Sequence, residues 1–313
     1  MNTIKPQRLR KGDLIGIISP ASAPDDLTRI EKGVQYLEKL GYRTLIGKNS
    51  SNYYGYLAGT DEERVSDLHD MFKNKEVKAI FCTRGGYGTP RLLSRIDYRL
   101  IKKNPKIFVG YSDITALQLA FYKKCGLITF AGPMLAVDFY NNVSSFTEEF
   151  FWSLVTSNKK LGKIKQPENK SIKKYLKNSA EGVVLGGNLA LVTSIMGTEY
   201  FPSFENKILM IEEVGESPYR VDRLLNQLKL AKVFEKVNGV LVGEFTDCDE
   251  EDSTKRSLTL DQVFDDYLSG LNVNVTLNFQ HGHIKDTITV PFGTKIKINS
   301  LKENIEFLES AVE

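Results

Sequence analysis

Ile107-Phe108-Val109-Gly110-Tyr111-Ser112-Asp113-Ile114-Thr115 joins two opposite hydrophobic patterns, and its reading decides the fold. Ile107-Phe108-Val109 is a short apolar run between Pro105 and Gly110, the signature of a buried strand. After the break, Ile114, Leu117 and Phe121 recur at helical spacing until Gly126. Ser112 therefore stands between a strand's C-terminal end and a helix's first turn. Two roles suit a serine there. It can cap the helix, or it can sit on a sharp bend with its hydroxyl exposed beside the free N–H groups and dipole of the helix N-terminus.

Working outward, the same alternation fills the first half of the chain. Leu14–Ile18 reads as a strand, and Leu27, Ile30, Val34 and Leu37 mark a helix closed by Lys39 and Gly41. Tyr42–Ile46 is a second strand, followed by a polar, tyrosine-bearing loop over 47–59. Thr60-Asp61-Glu62-Glu63 is a capping box that opens a helix carrying Val65, Leu68 and Phe72. Val77–Cys82 is a third strand, running directly into Thr83-Arg84-Gly85-Gly86-Tyr87-Gly88. Strands separated by helices need crossover connections and imply a parallel sheet. Ligands gather at the C-terminal ends of such strands, where Ser19, Gly85 and Ser112 fall.

The character changes near Thr156. Eight lysines and little aliphatic periodicity mark 156–177 as an exposed connection. A second alternating region starts near Gly182, with Leu185-Gly186-Gly187-Asn188, a strand at Ile208–Ile211, and a helix after Pro218 striped by Val221, Leu224, Leu225 and Leu228. Short β patterns follow around Pro291-Phe292-Gly293. These breaks divide the chain into 1–156, a linker over 157–180, and 181–313.

Composition narrows the classes of function. A chain of 313 residues, 41% apolar and 26% charged, is a globular protein long enough for two cores. Its net charge of +3 balances 42 bases against 39 acids and speaks against a nucleic-acid binder driven by bulk charge. Three widely spaced cysteines, Cys82, Cys125 and Cys248, suit a reducing compartment. Met1–Pro6 has no apolar signal-peptide core, and no run approaches a membrane span. The expected location is cytoplasmic.

Three constellations carry potential chemistry. Gly85-Gly86-Tyr87-Gly88 can bring backbone N–H groups close to an anion, or simply turn the chain; it lacks the lysine and spacing of a phosphate loop. In Glu212-Glu213-Val214-Gly215-Glu216, Glu213 and Glu216 read as solvated, whereas Glu212 adjoins the apolar run and needs a partner if buried. Gln280-His281-Gly282-His283 holds two of the three histidines at i, i+2. On a strand they would face one side, which a metal could use with Asp247, Cys248 and Asp249, yet no recognised ligand spacing is present. A single histidine matched to a serine and oriented by a carboxylate is more economical. The chain order Ser, Glu, His occurs in α/β-hydrolases, but the second glycine of their G-x-S-x-G elbow is missing, Ile114 standing in its place.

Taken in order, these landmarks resemble the LD-carboxypeptidase family of serine peptidases over nearly the whole chain. They are Gly12-Asp13 with Ser19-Pro20, Ala58-Gly59-Thr60-Asp61-Glu62-Glu63-Arg64, Arg84–Gly88, Gly110–Thr115, Gly132-Pro133-Met134, Gly186-Gly187-Asn188-Leu189, Glu212–Glu216 with Pro218-Tyr219-Arg220, and Gly282-His283 before Pro291 and Gly293. The resemblance implies Ser112 as nucleophile, Glu212 as the carboxylate orienting the base, and His283 as the base. His281 is additional to the family pattern, and Ala131 stands where many members carry histidine.

The resemblance also implies an α/β fold: an N-terminal flavodoxin-like parallel sheet bearing the nucleophile, and a C-terminal α/β domain with a small barrel-like sheet bearing the other two groups. No cofactor and no metal are implied. The expected partners are a murein peptide substrate and a second copy in a homodimer, with neither nucleic acid nor membrane. The implied reaction releases terminal D-alanine from murein tetrapeptide during cell-wall recycling. On that mechanism, backbone N–H groups at Gly86 and Asp113 bind the oxyanion. A substrate with a free carboxylate calls for a cation, for which Arg84 beside Gly85, and Arg220 and Arg223 after Glu212, are the available fixed charges. A related branch, the microcin immunity proteins, hydrolyses aminoacyl or peptidyl nucleotides; no aromatic insertion for stacking adenine is evident here. A non-enzymatic solute-binding protein is the remaining alternative.

Overall fold

The computed structural model describes residues 3–164, 173–175, 179–252, 254–299 and 304–313. In chain order its strands are β1 (Leu14–Ile18), β2 (Arg43–Ile46), β3 (Val77–Cys82), β4 (Ile107–Gly110), β5 (Thr129–Ala131), β6 (Gly162–Lys163), β7 (Lys173–Lys174), β8 (Ala180–Asn188), β9 (Lys207–Val214), β10 (Gly239–Thr246), β11 (Asn274–Leu277), β12 (Val290–Phe292), β13 (Lys295–Asn299) and β14 (Asn304–Phe307). The helices are α1 (Thr28–Lys39), α2 (Asp61–Lys73), α3 (Tyr98–Lys103), α4 (Thr115–Cys125), α5 (Ser145–Thr156), α6 (Leu189–Ser194), α7 (Pro218–Leu230) and α8 (Leu260–Leu268).

The first sheet has the order β2-β1-β3-β4-β5, all parallel, with β12 added antiparallel beside β5. An order of 2-1-3-4-5 is the flavodoxin-like winding. Strands β1 and β4 are buried along their whole length and β3 at all but Lys78, as a sheet covered on both faces requires. The capping box of α2 forms as read: Thr60 Oγ accepts from Glu63 N–H and the Glu63 carboxylate accepts from Thr60 N–H.

The second sheet runs β6-β14-β13-β8-β9-β10-β11-β7. Its four central strands, β8 to β11, are parallel, and antiparallel strands flank them. Among the described residues the two edge strands, β6 and β7, do not pair with each other. Both come from the lysine-rich stretch expected to be an exposed connection; 165–172 and 176–178 within it lie outside the described residues.

Helix α4 joins the two halves. Every residue from Thr115 to Tyr122 is buried, and the helix packs against β5, β8 and α6. Within this buried helix Gln118 donates from Nε2 to Gly110 O at 2.9 Å, while its Oε1 has no hydrogen-bond partner among the described residues. One hydrophobic cluster consequently runs from β1 and α2 through α4 into β8–β11, while a second covers the opposite face of the first sheet beneath α1 and α5. The chain's last residues, Ala311 and Val312, belong to that second cluster. Among the described residues no helix is long and apolar enough to cross a membrane.

Candidate active site

Ser112 follows β4 by one residue and adopts φ 61°, the left-handed region that a serine occupies only at a cost of order 1–3 kcal/mol. It caps neither following turn: the residues before the 3₁₀ turn Ser112–Ile114 and before α4 are Tyr111 and Ile114, and neither cap carries a side-chain bond. The strained bend is the elbow that the local sequence left incomplete. Room for it comes from a glycine on the neighbouring strand's loop. A Cβ on Gly85 would lie 2.8 Å from Ser112 Cβ and 2.9 Å from its Oγ.

The Gly85–Gly88 loop is fixed from below by Asp113. Its buried carboxylate accepts from Gly88 N–H at 3.2 Å and Thr89 N–H at 2.8 Å. Buried Arg64 donates to Pro20 O and Gly88 O and pairs with Asp61, closing the other side. The exposed Gly86 N–H has no acceptor among the described residues, and Asp113 N would lie 3.3 Å from a Cβ at Gly85. Asp113 thus follows the serine directly, and Gly86 follows the glycine that packs against it, with Ser22 as its own near neighbour. Asp113 also has a structural task that the sequence did not disclose.

Glu212 and His283 come from the second half. Glu212 is fully buried near the end of β9, and its Oε2 accepts from His283 Nδ1 at 2.8 Å. The histidine approaches through Gly282, at φ 137°, where a Cβ would stand 3.3 Å from that same oxygen; glycine serves both the backbone angle and the close approach. Burial opposes the charged imidazole. The Glu212 hydrogen bond and charge outweigh it, with Glu213 and Asp138 adding to them, and His283 stays protonated to higher pH than an ordinary histidine. The two halves meet at the ring: Tyr111, beside the serine, packs edge-on against His283 with centroids 5.0 Å apart. Among the described residues no hydrogen bond joins the Ser112 hydroxyl to His283; in ligand-free enzymes that bond often tightens only with substrate.

His281 lies elsewhere in function. It is buried, its Nδ1 meets Ile288 O at 2.7 Å, and it stacks on Phe279. Desolvation lowers its pKa and keeps it neutral. Among the described residues no group of three or more His, Cys, Asp and Glu side chains is placed to hold a metal ion.

Glu213 corrects a sequence expectation. Instead of being solvated it is buried, and it accepts from Asn188 Nδ2 at 2.6 Å, Ala190 N–H at 2.8 Å and Val214 N–H at 2.9 Å. Burial pushes its carboxyl up to about 7 despite those donors. It anchors Asn188, whose own N–H donates to Thr115 Oγ at 3.1 Å, so the acid ties the second sheet to α4. Glu216 pairs with Arg220 at 3.3 Å.

The three arginines fall in two places, Arg84 on the glycine loop and Arg220 with Arg223 over the Tyr219 ring. Arg84 contacts Ala23 O and Asp25, Arg220 bonds Tyr219 Oη and Glu216, and Arg223 lies over the exposed Tyr219 ring. Sequence reading also passed over Tyr111 and Asp138, which the fold brings to His283. The only available signal was the place of Tyr111 next to Ser112.

Residues 15–132 match the LD-carboxypeptidase N-terminal domain and 181–298 the LD-carboxypeptidase C-terminal domain. The chain is 40% identical to the probable murein peptide carboxypeptidase of Bacillus subtilis, over 96% of this chain and 92% of that one. It is 34% identical to the microcin C7 self-immunity protein of Escherichia coli, covering 96% and 94%. A solved structure of the microcin C7 self-immunity protein superposes with TM-score 0.90 at 32% identity, covering 99% and 100%. The muramoyltetrapeptide carboxypeptidase of Oxalobacter formigenes gives 0.80 at 28% identity, covering 94% and 97%. With both domain types matched in order and a relative 40% identical along almost the whole chain, this protein belongs to the LD-carboxypeptidase family.

Proposed function

We propose that the protein is a serine carboxypeptidase that cleaves the L,D-peptide bond of murein tetrapeptide and releases D-alanine, with Ser112, Glu212 and His283 as its catalytic groups. The observation that carries the reading is the 2.8 Å Glu212–His283 bond beside a serine held at φ 61°. In the reaction His283 Nε2 takes the Ser112 proton as Oγ attacks the carbonyl carbon. Glu212 holds Nδ1–H and stabilises the imidazolium. The backbone N–H groups of Gly86 and Asp113 receive the oxyanion. His283 then protonates the departing amine, and water, deprotonated by the same imidazole, resolves the acyl-enzyme. Closure of the interdomain cleft completes the serine–histidine contact.

The substrate's free carboxylate requires a cation or N–H cluster beyond the scissile bond, and Arg84, Arg220 and Arg223 are the candidates beside Gly85 and α7. Their present partners are exposed or half-exposed, so a substrate carboxylate can displace them at little cost. A cytoplasmic setting in cell-wall recycling goes with this reading, and the three free, buried cysteines suit such a reducing compartment; a homodimer is part of the same proposal.

Incubation with murein tri-, tetra- and pentapeptides, followed by mass spectrometry, tests the proposal. Loss of one alanine from the tetrapeptide alone is the expected result. A second reading has one observation in its favour, the higher structural similarity to the microcin self-immunity protein. An aminoacyl sulfamoyl adenosine belongs in the same assay: its cleavage, with tetrapeptide intact, selects that branch. Neither substrate altered after prolonged incubation leaves a binding protein.

A further inference from the structure

The elements around His283 contain a second carboxylate that the triad does not use. Asp138 lies in a single π-turn, Leu135–Phe139, between β5 and α5. Met134 and Asp138 bond reciprocally: Met134 N–H donates to the Asp138 carboxylate at 2.7 Å, and Asp138 N–H donates to Met134 O at 2.9 Å. Ala136 N–H donates to Thr83 O at 2.8 Å, fastening the turn to the end of β3. The carboxylate is therefore held in place by backbone. It acts by charge on the phenol of the buried Tyr111. The Tyr111 ring in turn meets the His283 imidazole at 66° and 5.0 Å.

We propose that Tyr111 and Asp138 form a positioning pair for His283: the ring fixes the imidazole plane, and the carboxylate places a second negative charge beside the imidazolium. The inference rests on His283 being the base. A lone Glu212–Nδ1 bond leaves the imidazole free to rotate about that axis, and an edge-on aromatic ring removes this freedom. The titratable groups facing the imidazole are Glu212 and Glu213 from β9, Asp138 from the π-turn, the neutral His281 from its own loop, and Tyr111 from the elbow. Glu212 holds the ring nitrogen directly. Asp138 acts on it by charge and through Tyr111. Burial pushes the Asp138 carboxyl up to about 6, with the Met134 N–H, His283 and Tyr111 pulling the other way, so this second charge is itself present only above mildly acidic pH.

A purely structural Asp138 would leave the titration of His283 unmoved, and that separates the alternatives. The full-length enzyme has three histidines, which makes an NMR titration of the His283 ring practicable without substrate. Asp138→Asn keeps an acceptor for Met134 N–H and removes the charge. It should lower the His283 pKa by about half a unit to one unit, from the Coulomb energy of charges several ångströms apart. The acidic limb of Ser112 labelling by a phosphonate probe should move down with it. Tyr111→Leu should slow that labelling about tenfold or more at its plateau, as misorientation of a base does. A His283 pKa equal to wild type in folded Asp138→Asn overturns the proposal. Should that variant not fold, Asp138→Ser and Asp138→Ala, which also remove the charge, decide: a His283 pKa equal to wild type in either folded variant overturns it equally. Failure of the probe to label Ser112 in the wild type would defeat the triad reading instead, while the NMR titration still reports on Asp138.

Discussion

Glu212 grips His283 through one oxygen, Oε2, at 2.8 Å, and does so from full burial at the end of a strand that Ser112 does not share. A carboxylate so placed serves one imidazole nitrogen. His283→Ala and Glu212→Gln should therefore each reduce kcat/KM by about 10³-fold or more, whereas Glu213→Gln and His281→Ala should act mainly on stability. His281 is packed against Phe279 and bonded to Ile288 O, so its loss leaves a cavity rather than a missing base. Steady-state kinetics beside thermal melts separate the two. A greater loss of turnover in His281→Ala would place the base two residues earlier.

The serine's backbone strain gives an independent test of its role. Ser112→Ala should fold and lose about 10³- to 10⁶-fold in turnover. Ser112→Gly should be equally inactive yet more stable than Ser112→Ala by about 1 kcal/mol, because glycine accepts φ 61° without a Cβ penalty. Gly85→Ala addresses the same spot from the neighbouring loop: its methyl would stand 2.8 Å from Ser112 Cβ, and labelling of the serine should fall steeply while the fold persists. Urea melts and active-site labelling of the three variants check this. Full activity in Ser112→Ala removes the serine mechanism.

Much of this arrangement is legible in the sequence, and the exceptions share a cause. The strand–helix alternation from Leu14 to Phe130 reads directly because each element writes its own period. Ser112 stands at a break in the pattern and Glu212 at the end of an apolar run, but the choice of His283 over His281 comes with the family resemblance and not from local pattern. What does not read is whatever a distant segment supplies. Glu213 looks solvated beside Glu212 until Asn188 and the N–H of Ala190 arrive to bury it. The missing elbow glycine is made good by Gly85, which lies 27 positions before Ser112 and on another strand's loop. Strand β12 lies in the C-terminal half of the chain but pairs with β5, a partnership no local period encodes. Asp138 falls in an apolar stretch and gains meaning only from Tyr111 and His283.

Glu213 should leave a signature in the pH dependence of stability. Its carboxyl, ordinarily near 4.5, is pushed up to about 7 by burial in the folded chain. Between those values the folded state binds more protons than the unfolded one, so stability falls as pH rises. The full effect is on the order of 3 kcal/mol at pH 8 relative to pH 4. Glu213→Gln cannot titrate, and subtracting its melting curve from the wild-type curve isolates this term. The difference should slope across pH 4.5–7 and flatten above it; a flat difference throughout means that Glu213 is charged in the folded protein at ordinary acidity.

Recognition of the leaving D-alanine is where Arg84, Arg220 and Arg223 can be told apart. Each now spends its charge locally, on Asp25, on Glu216 and Tyr219, and on the Tyr219 ring. Surface pairs of this kind are worth at most about 1 kcal/mol, and a fork-shaped contact to a free carboxylate is stronger. The arginine that anchors substrate should therefore reveal itself by selectivity rather than by overall rate. Changed to Met, it should lower kcat/KM for the free-acid tetrapeptide by about tenfold or more while cleavage of the C-terminally amidated analogue changes little. Arg84 is the first candidate because it precedes Gly85 and Gly86 directly, whereas Arg220 and Arg223 lie on the exposed side of α7. The ratio of kcat/KM for the two substrates in each variant is the measurement. A ratio unchanged in all three leaves the carboxylate to backbone N–H groups and removes the arginines from the site.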